Sequence, residues 1–178
     1  GAAAGPENEL ITILKRLEQP GETFDSSGTL KGQRVNYQRL SVIVAPDLQS
    51  ATVSGTLDFT GTKGDVAISS LGFERIRFVK KDDVWKPIDG PAPRLNAILR
   101  ALERRRRALQ AGDIPQADGL DVQEAERYRR LEQRQFKVEA WYIRSEKEGV
   151  DVSEDYHLVG RLPERPVDEK ATRRLSLV

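Results

Sequence analysis

The chain contains one histidine and no cysteine, so histidine-dependent acid–base chemistry has a single candidate, His157. It stands in the stretch EDYHL, where Asp155 lies two positions earlier and so on the same face of an extended strand, about 7 Å away. Such a carboxylate–imidazole pair is the pattern of a general acid–base couple, in which the imidazole takes a proton and the carboxylate steadies the imidazolium. The same alternation sets Tyr156, Leu158 and Leu162 on one face and His157, Val159 and Arg161 on the other. If the first face is the core, His157 is a surface or interface histidine. The stretch AWYIR carries Trp141 and Tyr142 on opposite faces of one strand. One of the two belongs in the core or a pocket, and the other on the surface or against a partner. Tyr142, Tyr156 and His157 are therefore the ligand-binding candidates, and Trp141 the interface candidate.

Other chemistries lack their residues. The absence of cysteine removes disulfides, thiolate metal sites and cysteine nucleophiles. No Gly-rich phosphate loop, HExxH, DxDxDG or GxSxG motif occurs, and neither SEDYH nor DVSED has metal-ligand spacing. No metal and no cofactor is expected. The run ERRRRALQ invites a nucleic-acid reading, but successive helical residues point about 100° apart, so Arg104 to Arg107 form no stripe. Leu102 and Leu109 bracket the run on the buried face, which places Arg106 near that face. With a formal net charge of +1, the run reads as a solvated helix and no nucleic-acid partner is implied. No stretch has the length of a membrane span.

The elements that would hold these residues can be read from periodicity. Leu10, Ile11, Ile13, Leu14 and Leu17 give a short amphipathic helix over 7–17, ended by Pro20 and Gly21. Residues 22–34 read as turns. VNYQRLSVIV, ATVSGTLDF, VAISSLGFERIRFV and a short strand with Trp85 follow as an antiparallel meander, with a glycine bulge expected at Gly72. PIDGPAP, from Pro87 to Pro93, is the strongest boundary. Beyond it Leu95, Ile98, Leu99, Leu102 and Leu109 stripe a long helix with Gly112 as its C-cap. DVQEAERYRRLEQRQ reads as a second helix with Val122, Ala125, Tyr128 and Leu131 inward. FKVEAWYIRS, DYHLVGRL, a loop at PERPVDEK and ATRRLSLV then repeat the meander. Setting Gly55 against Gly160 aligns the two halves as tandem units.

The long helix LNAILRALERRRRALQAGD, a second helical segment and three or more long antiparallel strands are similar to the opening of NTF2-like (SnoaL-like, cystatin-like cone) domains. The resemblance covers residues 94–178, and residues 7–90 more loosely; AGD at 111–113 is its local signature. It implies an α+β cone with a cavity between sheet and helices, used by different members for isomerisation, dehydration, ligand holding or protein contact.

The expectation is thus an α+β fold of two tandem units, each a helix with a curved antiparallel sheet. Residues 1–6 form a disordered linker, 7–90 the first unit and 91–178 the second, NTF2-like unit. The start GAAAGPENE reads as the linker after a signal peptide or lipoprotein anchor, which places the protein in the periplasm or cell envelope, with the cytoplasm as the alternative. The expected role is non-catalytic: binding a small apolar ligand or a protein partner through the cavity or a sheet face. A cofactor-independent lyase or isomerase using His157 and Asp155 is the alternative. A homodimer or larger envelope assembly is a further one.

Overall fold

The computed structural model describes residues 4–114 and 120–177. Leu10 and Leu14, one helical turn apart, are fully buried and anchor α1 (Ala4–Arg16). The helix begins inside the stretch expected to be a linker, with Pro6 in its first turn, where no N–H partner is needed. Four strands follow: β1 (Leu30–Val44), β2 (Ser50–Lys63), β3 (Val66–Lys81) and β4 (Val84–Pro87). Then come α2 (Pro93–Ala111), α3 (Val122–Arg130), β5 (Glu132–Glu146), β6 (Gly149–Arg161) and β7 (Pro166–Leu177). The class is α+β, with three helices and a seven-stranded mixed sheet among the described residues.

The sheet runs β1-β2-β3-β5-β6-β7. All pairings are antiparallel except one: Ala67–Gly72 of β3 lie parallel to Ala140–Ser145 of β5. Further along the same edge of β3, Phe78–Lys81 pair with β4. Parallel neighbours need a crossover, and β4, α2 and α3 supply it. Helix α2 packs against both β3 and β5, covering the joint. Buried side chains from before and after Pro87–Pro93 belong to a single hydrophobic cluster. The segment between β4 and α2 is itself tied down: the Tyr37 hydroxyl donates to the Pro91 carbonyl at 2.8 Å, and Ala92 is fully buried.

Several boundaries differ from the sequence expectation. β1 starts at Leu30, inside the expected turn region, because the Phe24 N–H donates to the Leu30 carbonyl, and Gly32 accepts from the Gly21 N–H and donates to the Glu22 carbonyl. α3 stops at Arg130, and Glu132–Gln135, read as helical, open β5. The expected loop at PERPVDEK is strand from Pro166. The β2–β3 register runs through Gly72 without a shift, so that glycine is no bulge. The irregularities fall at Gln38–Ser41 and Gly32–Arg34 in β1, and at Glu132–Gln135 and Val138–Ala140 in β5. Each extra residue flips the side-chain parity of its strand. In β1, Val35 and Tyr37 face the core before the bulge, and Leu40, Val42 and Val44 pack against it afterwards. The two glycines aligned between the halves sit at different places in their strands: Gly55 is in the first half of β2, and Gly160 is next to the last residue of β6.

Gly72 serves close approach. A Cβ there would sit 1.9 Å from Ser145 Oγ across the parallel joint. Gly61 is tighter in a different sense, since its Cβ would lie 2.0 Å from the Lys31 carbonyl oxygen, a backbone atom. Gly112 is in the left-handed conformation and caps α2 as expected. In chemical denaturation, Gly72→Ala should cost about 1–3 kcal/mol, with Ser145→Ala recovering most of the loss. Gly61→Ala should cost more, with no side-chain rescue. Equal costs, or no rescue by Ser145→Ala, would show that Ser145 Oγ does not limit the joint.

Candidate functional site

The helix-covered face of the sheet holds a buried polar cluster at one height. Ile68 of β3, Trp141 of β5, Glu154 of β6 and Arg173 of β7 are successive cross-strand neighbours. Glu154 is fully buried. Its Oε1 accepts from Arg105 Nη1 of α2 at 2.7 Å, and its Oε2 accepts from Trp141 Nε1 at 2.9 Å. Arg105, rather than Arg106, is the buried arginine of the run: it lies three residues after Leu102 and four before Leu109, in the middle of the apolar stripe. Arg106 instead pairs with Glu103 on the helix flank.

Beside this pair Arg173 donates from Nη2 to Glu124 Oε2 at 2.8 Å and to the Tyr156 hydroxyl at 3.2 Å, with its guanidinium over the Tyr156 ring. Glu124 and Tyr128 come from α3, whose N-terminus is capped by the Asp121 side chain on the Glu124 N–H. Val122, expected inward, is the first residue after that cap and is 81% exposed. Arg127 of α3 pairs with Glu169 of β7. Burial pushes the Tyr128 and Tyr156 hydroxyls up, more than Arg173 pulls them down. Both stay neutral acceptors for the arginine. Charges paired in this way, sealed by Trp141 and helices on one side, act as a scaffold that sets α2 and α3 on the sheet.

The expected site residues separate accordingly. Trp141, taken as the interface residue, has no exposed surface; the extra residue at Glu139 turns it to the same face as Val138 and Ile143. Tyr142 is the exposed member, at 50%. Tyr156 is buried against Arg173, with Leu158 and Leu162 also buried, so His157 lies on the helix-free face. There Nε2 of His157 meets Asp168 Oδ1 at 2.6 Å, not Asp155. Asp155 accepts from the Thr172 hydroxyl at 2.7 Å. Asp168 is a diagonal neighbour across the strand pair, opposite Val159 while His157 itself faces Lys170, and Asp155 is held by Thr172, which directly faces it. Tyr142, Tyr156 and His157 are thus divided between two faces and form no common pocket.

Sequence reading missed what the helix-free face does assemble. Arg34, Thr60, Ser69, Tyr142, Ser153 and Arg174 are consecutive cross-strand partners from β1 to β7. The adjacent row runs Asp58, Leu71, Arg144, Asp151, Ser176. Together they line an open depression of about 750 Å³. Its chemistry is mixed: three guanidiniums, two carboxylates, a set of hydroxyls, and the exposed Tyr142 and Leu71 at the centre. No set of His, Asp and Glu among the described residues is arranged to hold a metal ion. The signal for this face was the period-2 polar alternation of each strand; the register that aligns the strands was not visible.

Glu74 of β3 is the other buried carboxylate. Its Oε1 and Oε2 accept from the Arg94 and Leu95 N–H groups at 2.8 and 2.9 Å, supplying the cap that Ala92 cannot give to α2. Burial pushes its pKa up to about 7, against the pull of those two N–H groups and the Arg94 charge. A carboxyl with such a pKa suits a general acid, but both its oxygens are engaged with the helix. It is a structural cap. Asp25 is shifted in the opposite direction: burial raises it, but Lys63, the Leu30 N–H and the Ser27 and Thr29 hydroxyls together hold it well below the usual carboxylate range.

Two measurements test these assignments. Between the unfolded value of 4.5 and about 7 the folded protein binds more protons at Glu74 than the unfolded chain, so stability falls as pH rises through this window. The loss from this group is on the order of 3 kcal/mol, and Glu74→Gln should flatten that slope in urea melts at pH 5 and pH 7.5; an unchanged slope would remove Glu74 as its source. Asp25 acts only at lower pH, its contribution being lost as pH falls below 3.8. Glu154→Ala, which takes the carboxylate from Arg105 and Trp141, should cost roughly 3–5 kcal/mol. Replacing Arg105 by Met and Glu154 by Leu together should cost less than Glu154→Ala alone. No family model matches the chain, nor does any curated protein or solved structure, so the likeness to NTF2-like domains rests on the residues alone.

Proposed function

We propose that the protein is a non-catalytic, exported binding module that engages a protein partner through the helix-free face of its sheet. The single observation that carries this is the pair of cross-strand rows, with Tyr142 and Leu71 exposed at the centre of an open depression and arginines at both ends. Tyrosine and arginine offer large contact area and directional donors, the residue types that dominate protein interfaces. The charged lining favours a polar protein surface over a small apolar ligand. On the helix side, by contrast, the space is filled by side chains such as Trp141, Phe59, Phe78 and Leu99. In this reading the chain is built as two tandem helix-plus-sheet units, the second NTF2-like, and they share the binding face across their joint.

A cofactor-independent lyase or isomerase is the second reading, favoured by one observation: the 2.6 Å contact of His157 with Asp168. Asp168 then replaces Asp155 as the carboxylate that steadies the imidazolium. His157 lies outside the depression, so the two readings separate by mutation. Native mass spectrometry of the protein purified gently from its own host should show a retained protein partner. Tyr142→Asp should abolish retention and His157→Gln should leave it intact. Retention unaffected by Tyr142→Asp would overturn the binding-face reading, and a small retained molecule lost with His157→Gln would favour the second.

A further inference from the structure

The two edges of the open sheet are treated differently. Along β1 the edge is covered. Thr23 bridges to Lys31, and Gly21 and Glu22 exchange bonds with Gly32. The Tyr37 N–H donates to Glu18 and its carbonyl accepts from Lys15. Arg39, with φ 55, marks a bulge. These are the usual devices that keep an edge from pairing with another chain. β7 has none of them. Its register against β6 is unbroken from Pro166 to Leu177, and among the described residues no other hydrogen bond reaches its backbone. What it carries is charge, and charge on an edge ordinarily discourages pairing.

The order of those charges reverses that effect for one partner. An antiparallel strand laid along β7 must set outward-pointing backbone groups against outward-pointing ones, so a copy of β7 can pair only in registers centred on a residue. Centred on Ala171, Asp168 faces the second copy's Arg174, Glu169 faces its Arg173, Lys170 faces Thr172, and Val167 faces Leu175. Asp168 and Arg174, exposed on the helix-free face, are the pair that meets across the seam, and it occurs twice by symmetry, whereas Glu169 and Arg173 also keep their own partners Arg127 and Glu124. The neighbouring permitted registers are self-repelling: centring on Lys170 puts lysine against lysine, and centring on Thr172 puts Arg174 against Lys170.

From this we infer that a second copy of the chain docks on the β7 edge in an antiparallel register centred on Ala171, giving a twofold dimer with one continuous sheet. The twofold axis stands perpendicular to the sheet, so the helices of both copies share one face. Arg174 and Ser176 line the helix-free depression, so the two depressions adjoin across the dimer axis, with Asp168 of each copy beside Arg174 of the other. The inference rests on the β7 edge, not on the binding-face reading, and does not fall with it.

Absence of cysteine makes the register directly testable. Cross-strand partners lie within disulfide reach, so Ala171→Cys should form an intermolecular disulfide on mild oxidation, whereas Glu169→Cys and Arg173→Cys, which do not face themselves, should not. Sedimentation equilibrium should show twice the 20.0 kDa chain mass. Arg174→Asp should raise the dimer dissociation constant roughly 30-fold by turning two attractions into repulsions. Asp168→Arg should do the same, and the two together should restore the dimer. A monomer at all concentrations overturns the inference, including one in which a following segment of a longer chain covers the edge. So does a dimer indifferent to these charge reversals, or one that cross-links equally at Ala171→Cys and Glu169→Cys.

Discussion

The parallel joint between Ala67–Gly72 and Ala140–Ser145 is the constraint on which the rest of the molecule depends. Each side of it is an antiparallel meander that local turns can build: Gly64 has φ 59 in one hairpin, and Asp82 and Asp83 both have positive φ in another. Neither meander covers its own apolar face. The joint sets the two faces side by side in one sheet, and the crossover lays α2 over it, with α3 tied to β7. Gly72 lets the strands approach where Ser145 would otherwise collide with a side chain.

Two buried carboxylates then position α2 over the joint by different means. Glu74 of β3 accepts two N–H groups at the helix N-terminus, and Glu154 of β6 meets Arg105 midway along the helix. A carboxylate at a helix N-terminus interacts with several converging peptide dipoles. A buried ion pair stabilises less than its Coulomb energy suggests, because both charges are desolvated. Its contribution lies in direction: Glu154 also accepts from Trp141, and the cross-strand neighbour Arg173 reaches α3 through Glu124. One row of the sheet thereby orients two helices.

The helix-free face inherits its order from the same joint. Ser69 beside Tyr142 and Leu71 beside Arg144 are the points where the two cross-strand rows pass from one meander to the other. A slip of one residue there would turn every side chain of the second meander to the opposite face, burying Tyr142 and exposing Trp141. The binding face and the interior are thus two sides of a single register.

Much of this architecture is legible from the residues alone. The α+β class, the helix over Leu95–Leu109, the Gly112 cap and the solvent side of His157 follow from periods of 3.6 and 2, which are local properties of the chain. The sequence also carries the alternating charges of β7, a pattern that acquires meaning only once β7 is known to be an uncovered edge. Tertiary structure decided the rest. Trp141 and Tyr142 exchange their expected places because an extra residue at Glu139 flips the parity of β5, and a bulge depends on the strand beside it. His157 pairs with Asp168 rather than Asp155 because the β6–β7 register brings Asp168 diagonally beside it and sets Thr172 directly opposite Asp155, whose carboxylate accepts from it. The depression joins residues from Arg34 to Ser176 through five strand pairings, one of them parallel, and no periodicity within a strand encodes which strand lies next to it.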